Sequence, residues 1–298
     1  MKGIRGMRDS SLFDRISDFL IYLLMGLFGL AVIYPFLYLL AVSLNEGMDA
    51  LRGGIVLIPR RFTLENYEII FTDRRLLQAA AMTVSRTVLG TLTALFCTSL
   101  VSYALTRKHL IGRKLYNIIF LIPMYITAGI IPTFLVFQMY GLTNRFWVYI
   151  VPNLAWGYYI IIMRTFFEDI PQSIEESASI DGANEFTVFF KIIIPLSTPV
   201  IAAVALFNAV WHWNYWLDTV MFTRSNSLDT LISLLSKMLT EQQSALISQA
   251  AATRKAKFLT PQVLRASMTM VTTIPIILVY PFLQRYFVKG VMIGAVKG

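Results

Sequence analysis

The chain has 298 residues, of which 56% are hydrophobic and 14% are charged, and its mean hydropathy is +0.64. Soluble domains carry about 25% charged residues, so the composition excludes an ordinary soluble protein and indicates a membrane protein with several spans. The net charge of +9 is typical of a membrane protein that keeps Lys and Arg in its cytoplasmic loops. We predict no nucleic-acid partner, because no long basic run or aromatic-interleaved basic helix is present.

Six stretches are apolar enough and long enough to cross a bilayer, which takes about 20 residues. In chain order, these predicted spans are 19–44, 79–106, 115–141, 146–166, 199–222 and 266–287. An N-terminal segment, 1–18, precedes them and a tail, 288–298, follows. Two longer polar segments, 45–78 and 223–265, lie between spans. The pattern predicts an all-α polytopic fold with residues 79–290 as its core.

The short loop after the second span is the best signal for orientation. Four basic residues crowd it: Arg107, Lys108, Arg113 and Lys114. Because short basic loops stay in the cytoplasm, alternation places both termini there and puts segments 45–78 and 223–265 outside. Arg86 lies near the outer end of the second span, where a long side chain can snorkel to the interface. The alternative is a functional charge within the membrane.

Residues 168–197 form a polar interval that is dense in acidic residues. Pro171 suits a first helical turn, Gly182 can take the left-handed conformation that ends a helix, and Asn184 can cap a second helix. Pro195 then stops that helix. A simple connector has a median length of about 4–6 residues and needs none of these features. We therefore predict a helix–turn–helix docking surface here, the alternative being an ordinary connecting loop.

The order from Glu176 to Ala183, followed by Ile192 to Pro195, resembles the EAA loop of the membrane subunits of ABC importers. Ser177 stands where that family usually has Ala. In the family, this loop carries the cytoplasmic coupling helix, which sits in a cleft of the ATPase subunit. The resemblance implies the following coupling residues: Glu175, Glu176, Ala178, Asp181, Gly182, Ala183 and Pro195. Residues 164–196 include six acidic and two basic side chains. We therefore expect basic residues around the socket of the ATPase subunit that receives this loop.

Further stretches resemble carbohydrate-importer permeases. They are Ser102–Leu105 with the basic loop after it, the Gly129–Thr133 region, and the ending from Tyr280 to Phe287. The resemblance implies a type I importer permease fold in a bacterial cytoplasmic (inner) membrane. It also implies a second permease subunit, forming a heterodimer or less often a homodimer, together with two ATPase subunits and an extracytoplasmic solute-binding protein. The similarity extends to an alginate-type oligosaccharide importer.

The chain lacks the Gly-x-x-x-x-Gly-Lys-Ser/Thr phosphate loop. We therefore predict that it is not an enzyme and binds no cofactor, and that ATP and Mg²⁺ are held by the partner ATPase subunits. A secondary transporter is one alternative, but it needs ion-coupling carboxylates within its spans, and Asp218 lies near a span end. A membrane enzyme is another, but it needs a clustered nucleophile, metal set or acid–base pair.

Polar and aromatic residues are concentrated in the fifth predicted span. Polar groups in a membrane are costly unless they line a cavity or meet a partner, and aromatic rings and amides suit sugars. The candidate substrate-path residues, several of them at helical spacing on one face, are Asn208, Trp211, His212, Asn214, Tyr215 and Asp218. The alternative is an interfacial aromatic belt with polar packing between helices.

The outer segment 223–265 contains a second basic cluster, formed by Arg254, Lys255 and Lys257. Such a cluster is usually just solvated. Alternatively, it contacts acidic residues of the binding protein or steers an acidic oligosaccharide such as alginate.

Overall fold

The computed structural model describes residues 12–247 and 260–295. Within these ranges, every regular element is helical, and one isolated bridge pairs Asn45 with Phe62. The predicted all-α fold class is therefore confirmed. The described residues form two compact units, 12–68 with 260–270 and 69–247 with 271–295.

The first unit contains one long apolar helix and a folded polar segment. Its helices are α1 (Leu12–Ser43), α2 (Gly47–Ala50), the first half of α3 (Glu65–Thr72) and the first ten residues of α14 (Pro261–Ala295). The Asn66 side chain donates hydrogen bonds of 2.9 Å to the carbonyls of Ser43 and Asn45. These bonds fix the polar segment to the end of α1, so part of the predicted outer segment 45–78 is ordered structure and not an open loop.

The second unit contains most of the helices. In chain order they are α4 (Arg74–Thr106), α5 (Arg113–Tyr125), α6 (Ile130–Met139), α7 (Gly157–Glu168), α8 (Gln172–Ile180), α9 (Glu185–Val188), α10 (Ile194–Leu196), α11 (Thr198–Asn214), α12 (Leu217–Phe222) and α13 (Leu231–Ile247). Short 3-10 turns precede α7, and a π-helical turn joins α9 to α10. The last helix, α14, runs from Pro261 to Ala295.

Helix α4 is the central helix of the second unit, packing against α7, α11 and α13. Its start is capped by Asp73, whose carboxylate accepts a 2.8 Å bond from the backbone N–H of Arg75. It contains no proline, which would remove a backbone hydrogen bond, and it runs unbroken to Thr106. The predicted second span 79–106 is therefore an unbroken part of a longer helix.

The described residues contain three single helices that are long and apolar enough to cross a membrane. These are Arg15–Ser43, Arg74–Thr106 and Pro261–Val279. The number rises to five if each of two bent pairs is counted as one span. The pairs are Phe146–Asn153 with Gly157–Glu168 (46°) and Glu185–Leu196 with Thr198–Asn214 (80°). The predicted span 115–141 is instead two helices, α5 and α6, separated by residues 126–129. The count of six spans stays a prediction.

One hydrophobic cluster lies directly against the 168–197 segment. Its buried members come from α4, α7 and the stretch from α9 to α11, and are Tyr103, Tyr159, Met163, Phe167, Val188, Phe189, Ile193, Val200 and Val204. Because this core joins the segment to the apolar helices, the segment is part of the folded unit and does not hang from it as a loose connector.

Candidate coupling and translocation sites

The 168–197 segment contains the predicted pair of short helices. Pro171 immediately precedes α8, and Gly182 follows that helix with a φ of +82°, the left-handed conformation that glycine adopts readily. Asn184 caps α9 by accepting a 2.8 Å hydrogen bond from the backbone N–H of Thr187. The helical turns that the sequence indicates are present. The docking role of α8 stays a prediction.

Arg107, the residue directly after α4, attaches this segment to the rest of the unit. Its guanidinium forms ion pairs with Glu175 of α8 and, at 3.1 Å, with Glu185 at the start of α9. It also lies 4.1 Å from the centre of the Tyr103 ring. The Tyr103 hydroxyl donates a 2.8 Å hydrogen bond to the same Glu185 carboxylate. One arginine therefore connects α4 to both helices of the segment.

A second ionic contact holds the beginning of the segment. The Glu168 carboxylate accepts 2.9 Å hydrogen bonds from Arg113 and from Arg164. Arg113 also donates 2.7 Å to the carbonyl of Leu105. Three of the segment's acids are thus paired with arginines of this chain. The expectation that basic residues of an ATPase subunit surround the segment stays a prediction. The sequence concealed these pairs because Arg107 and Arg113 are more than fifty residues away from their carboxylates.

The segment also exposes apolar and acidic side chains. Ile180 is 86% exposed and Phe186 is 69% exposed, and the exposed acids Glu176 and Asp181 lie near them in sequence. The predicted coupling residues accordingly divide into two groups. Glu176, Asp181, Gly182 and Pro195 are exposed, whereas Ala178 and Ala183 pack against the hydrophobic cluster and Glu175 binds Arg107.

The second site is a buried ion pair in the region of the predicted spans. The Arg86 side chain is 0% exposed. Its two terminal nitrogens donate to the two carboxylate oxygens of Asp218 at 3.2 and 2.8 Å, and its charged group lies 4.5 Å from the centre of the Tyr149 ring. The prediction that Arg86 snorkels to the interface was wrong, because a carboxylate 132 residues later in the chain satisfies its charge internally.

This pair also explains an unexpected helix break. Helix α11 ends at Asn214 and α12 begins at Leu217, although neither Gly nor Pro lies between them. Arg86 donates a 3.0 Å hydrogen bond to the carbonyl of Tyr215, and Asp218 accepts 2.7 Å from the N–H of Thr219. The backbone groups freed by the break are thereby partly satisfied, as a buried helix end requires.

The break changes the arrangement of the predicted substrate-path residues. Asp218 lies on α12, so it does not share a helical face with the others as we expected. Asn208 and His212 are buried, and His212 packs so closely on Gly90 of α4 that a Cβ there would lie 2.4 Å from its Nε2. His212 therefore lies at the contact between α4 and α11, while Asn208 donates a 3.3 Å hydrogen bond to the carbonyl of Val204 on its own helix.

The more accessible members of that set are aromatic. The Trp211 and Tyr215 rings are stacked with their centres 4.6 Å apart, and the Trp156 ring lies 6.4 Å from Trp211. Asn214, the residue before Tyr215, is exposed, and its amide donates a 2.9 Å hydrogen bond to the carbonyl of Val210. Sequence reasoning missed Trp156, which is half exposed and immediately precedes α7, because it lies inside the predicted span 146–166. Its position directly before Gly157 could have indicated it. The basic cluster Arg254, Lys255 and Lys257 lies outside the described residues.

Comparison with known proteins identifies the family. The family described as "binding-protein-dependent transport system inner membrane component" matches residues 3–293. The chain belongs to this family. The resemblance read from its sequence motifs is thereby confirmed, and so is its classification as an ABC transport permease and not an enzyme.

Two characterised relatives cover nearly the whole chain. The polygalacturonan/rhamnogalacturonan transport system permease protein YtcP of Bacillus subtilis is 35% identical over 285 residues, covering 96% of this chain and 99% of the relative. The arabinooligosaccharides transport system permease protein AraQ of Halalkalibacterium halodurans is 30% identical, covering 89% of this chain and 91% of the relative. Both are permease subunits of sugar transport systems.

Solved structures support the fold. A chain of a bacterial ABC transporter involved in the import of the acidic polysaccharide alginate superposes with a TM-score of 0.84 at 29% identity, covering 93% of this chain and 98% of that chain. A chain from a bacterial alginate ABC transporter in complex with a pentasaccharide-bound periplasmic protein superposes with a TM-score of 0.61 at 16% identity. The predicted type I permease fold is therefore confirmed.

Proposed function

We propose that this chain is the membrane subunit of an ATP-driven oligosaccharide importer, and that α8 and the turn after it dock on an ATPase subunit. The observation that carries the docking proposal is that the segment is firmly attached and still exposes large apolar side chains. Arg107 and the hydrophobic cluster attach it to the rest of the unit, while Ile180 and Phe186 remain exposed. Exposed apolar side chains with acids nearby are typical of a contact surface.

The remaining parts of the importer follow from the family. The proposed partners are a second permease subunit, two ATPase subunits that hold ATP and Mg²⁺, and an extracytoplasmic binding protein. The chain itself binds no cofactor. Both termini and the 168–197 segment lie on the cytoplasmic side of the inner membrane, and segments 45–78 and 223–265 lie outside. The basic loop at 107–114 supports this orientation, since it binds the segment that would meet the ATPase.

The proposed substrate is an oligosaccharide, and more narrowly an acidic one. The names of the relatives include polygalacturonan and arabinooligosaccharides, and the structural neighbour is involved in the import of acidic alginate. In this chain, the stacked rings of Trp211 and Tyr215, with Asn214 beside them, offer apolar faces and an amide. We propose them as the substrate path, with Asn208, His212 and Asp218 supporting it from inside.

The coupling proposal is tested with Glu176→Lys and Gly182→Pro in the reconstituted complex. Basal and binding-protein-stimulated ATP hydrolysis are measured together with sugar uptake, and co-purification reports assembly. We expect the ATPase subunits to dissociate or hydrolysis to uncouple from sugar delivery. Glu65→Lys, which reverses an exposed acid on α3, is the matched control and should leave both unchanged. Unchanged assembly, hydrolysis and uptake in Glu176→Lys and Gly182→Pro would reduce the segment to a connector.

The substrate proposal is tested by uptake of matched acidic and neutral oligosaccharides. The triple variant in which Arg254, Lys255 and Lys257 are all changed to Gln should take up less of the acidic sugar, with a smaller loss for the neutral one. An equal loss of uptake for both sugars would exclude steering by charge. Trp211→Leu should lower uptake of both sugars. Trp147→Leu is its control, because Trp147 is also exposed but its ring lies against Phe146, which is not a proposed substrate-path residue.

A further inference from the structure

Helix α4 carries one arginine at each of the two sites. Arg107 follows its last turn and binds the 168–197 segment, and Arg86 lies in its middle and binds the break between α11 and α12. At about 1.5 Å of rise per residue, the two arginines are about 30 Å apart along the helix axis. No other helix in the described part of the chain is shown to form ion pairs with both regions.

The part of α4 between these arginines is built to move as one body. It is a continuous helix without proline. The contact of Gly90 with His212 leaves no room for a Cβ, so α4 and α11 approach closely there. One turn before Arg86 on α4, the Thr83 hydroxyl accepts a 2.9 Å hydrogen bond from the backbone N–H of Leu231 at the start of α13. A closely packed helix transmits a displacement at one end to the other, because packed interiors have low compressibility.

The two arginine contacts are made in a way that transfers motion. Arg107 binds α8 and α9 simultaneously, so a movement of the two helices as a unit displaces the end of α4. Arg86 binds both oxygens of Asp218 and the carbonyl of Tyr215. Displacing Arg86 therefore moves α12 and the end of α11 together. Tyr215 itself is stacked on Trp211, so this movement reaches the aromatic residues proposed for the substrate.

We propose that α4 is the element that transmits movement of the coupling segment to the α11–α12 break, with Arg107 and Arg86 as the positioning residues at its two attachments. The proposal rests on the proposed function, in which the segment meets an ATPase. It adds a specific route: α8 and α9, Arg107, α4, Arg86, and then Tyr215 and Asp218. Such a route requires demonstrated energetic coupling and not only spatial continuity.

A double-mutant cycle tests this route. The variants are Arg107→Gln, Asp218→Asn and the combination, and the readout is the ratio of binding-protein-stimulated to basal ATP hydrolysis in assembled, reconstituted complexes. Each single variant should lower the ratio at least about fivefold, the lower end of typical coupling between sites. Because the two links act in series, the combination should be no worse than the more severe single variant. Losses that multiply would overturn the proposal.

Arg164→Gln is the matched control. Arg164 also binds Glu168 and Asn117 near the same segment, but it lies on α7 and makes no ion pair with α4. In the combination of Arg164→Gln with Asp218→Asn, the two fold-losses in the ratio of stimulated to basal ATP hydrolysis should multiply. If Asp218→Asn fails to assemble, Arg86→Gln with Asp218→Asn removes both buried charges and retains two polar side chains, and the cycle is repeated with that pair. Coupling defects in this pair that multiply with Arg107→Gln would again exclude the series route.

The outcomes separate this proposal from the proposed function. If Glu176→Lys leaves coupling intact, the docking role of α8 fails and the route loses its input. If Glu176→Lys uncouples hydrolysis while the cycle gives multiplicative losses, the docking role stands and only transmission through α4 is excluded.

Discussion

Two arginines on or beside the same helix bind carboxylates under opposite conditions. At the first site, the side chain of Arg86 is 0% exposed and that of Asp218 is 6% exposed. At the second, the side chain of Arg107 is 21% exposed, and its partners Glu175 and Glu185 are 15% and 64% exposed. The first contact determines where a helix breaks inside the apolar part of the fold, and the second connects a surface segment to the end of α4.

The difference shows which contact is the more sensitive to salt. A buried charge is costly to leave without its partner, so a buried pair is hard to break. An exposed pair is screened by salt and is worth about 0–1 kcal/mol. The contacts of Arg107, which is partly exposed and has one exposed partner, should therefore weaken in salt, whereas the Arg86 contact should not.

The largest expected effect comes from breaking the buried pair. Asp218→Ala leaves Arg86 without its counter-ion, and the expected loss of stability is about 3–5 kcal/mol. Thermal unfolding of the purified protein in detergent measures it. The double replacement Arg86→Leu with Asp218→Leu should restore much of this loss, because no unpaired buried charge remains. An Asp218→Ala protein as stable as the unaltered protein would mean that Arg86 reaches solvent.

Overpacking the part of α4 between Arg86 and Arg107 should have the next largest effect on stability. Gly90→Ala places a methyl group 2.4 Å from His212, and it should destabilise the protein by about 1–3 kcal/mol despite the better helix propensity of Ala. Gly29→Ala on α1 is the matched control. Nothing lies within 4 Å of its new Cβ, so it should be neutral or stabilising by up to about 1 kcal/mol. Equal effects would mean that α4 and α11 are not in close contact.

Salt should distinguish the two arginine sites directly. Raising the ionic strength from about 0.1 M to 1 M shortens the Debye length from about 10 Å to 3 Å. Hydrogen exchange of residues 172–188 should become faster, since the Arg107 contacts that hold them are partly exposed. Exchange at residues 215–219 should not change, because their ionic partner is buried. A similar acceleration in both regions would contradict the distinction.

The smallest expected effect concerns a third arginine–carboxylate contact, in which only the carboxylate is buried. Asp49 accepts hydrogen bonds from Asn45 at 3.0 Å and Arg60 at 3.1 Å. The hydrogen bond from Asn45 lowers the pKa of Asp49 most, burial opposes it, and the charge of Arg60 lowers it further. With a lowered folded-state pKa, this stabilisation is complete above about pH 3.9, the usual value for Asp, and is lost as the pH falls through the lower folded value.

Hydrogen exchange of residues 45–60, corrected for its intrinsic pH dependence, checks this expectation. The segment should remain protected at pH 5 and lose protection only below about pH 3.9. Asp49→Asn should remove this acid-dependent change, because Asn does not titrate. Opening at pH 6, or the same profile in Asp49→Asn, would show that another group controls the segment.

Local features were readable from the sequence. The apolar stretches predicted a helical membrane protein, and Gly182 and Asn184 indicated the turn and the cap that the structure shows. These features depend on hydropathy and on backbone geometry within a few neighbouring residues. The EAA-like order around Glu176 indicated the family for the same reason, since all the residues of that motif lie within one short segment.

Contacts between distant residues were not readable in this way. Arg86 was expected at the interface, and the Arg107 loop was read only as an orientation signal. The break at Tyr215 has no local signal, since neither Gly nor Pro is present. It depends on a donor from α4, 129 residues earlier in the chain. The sequence by itself determined that this protein is helical, spans a membrane and carries a capped segment of this family. Only the tertiary structure decided which charges meet, because a buried arginine must be satisfied by whichever acceptors the packed helices bring to it.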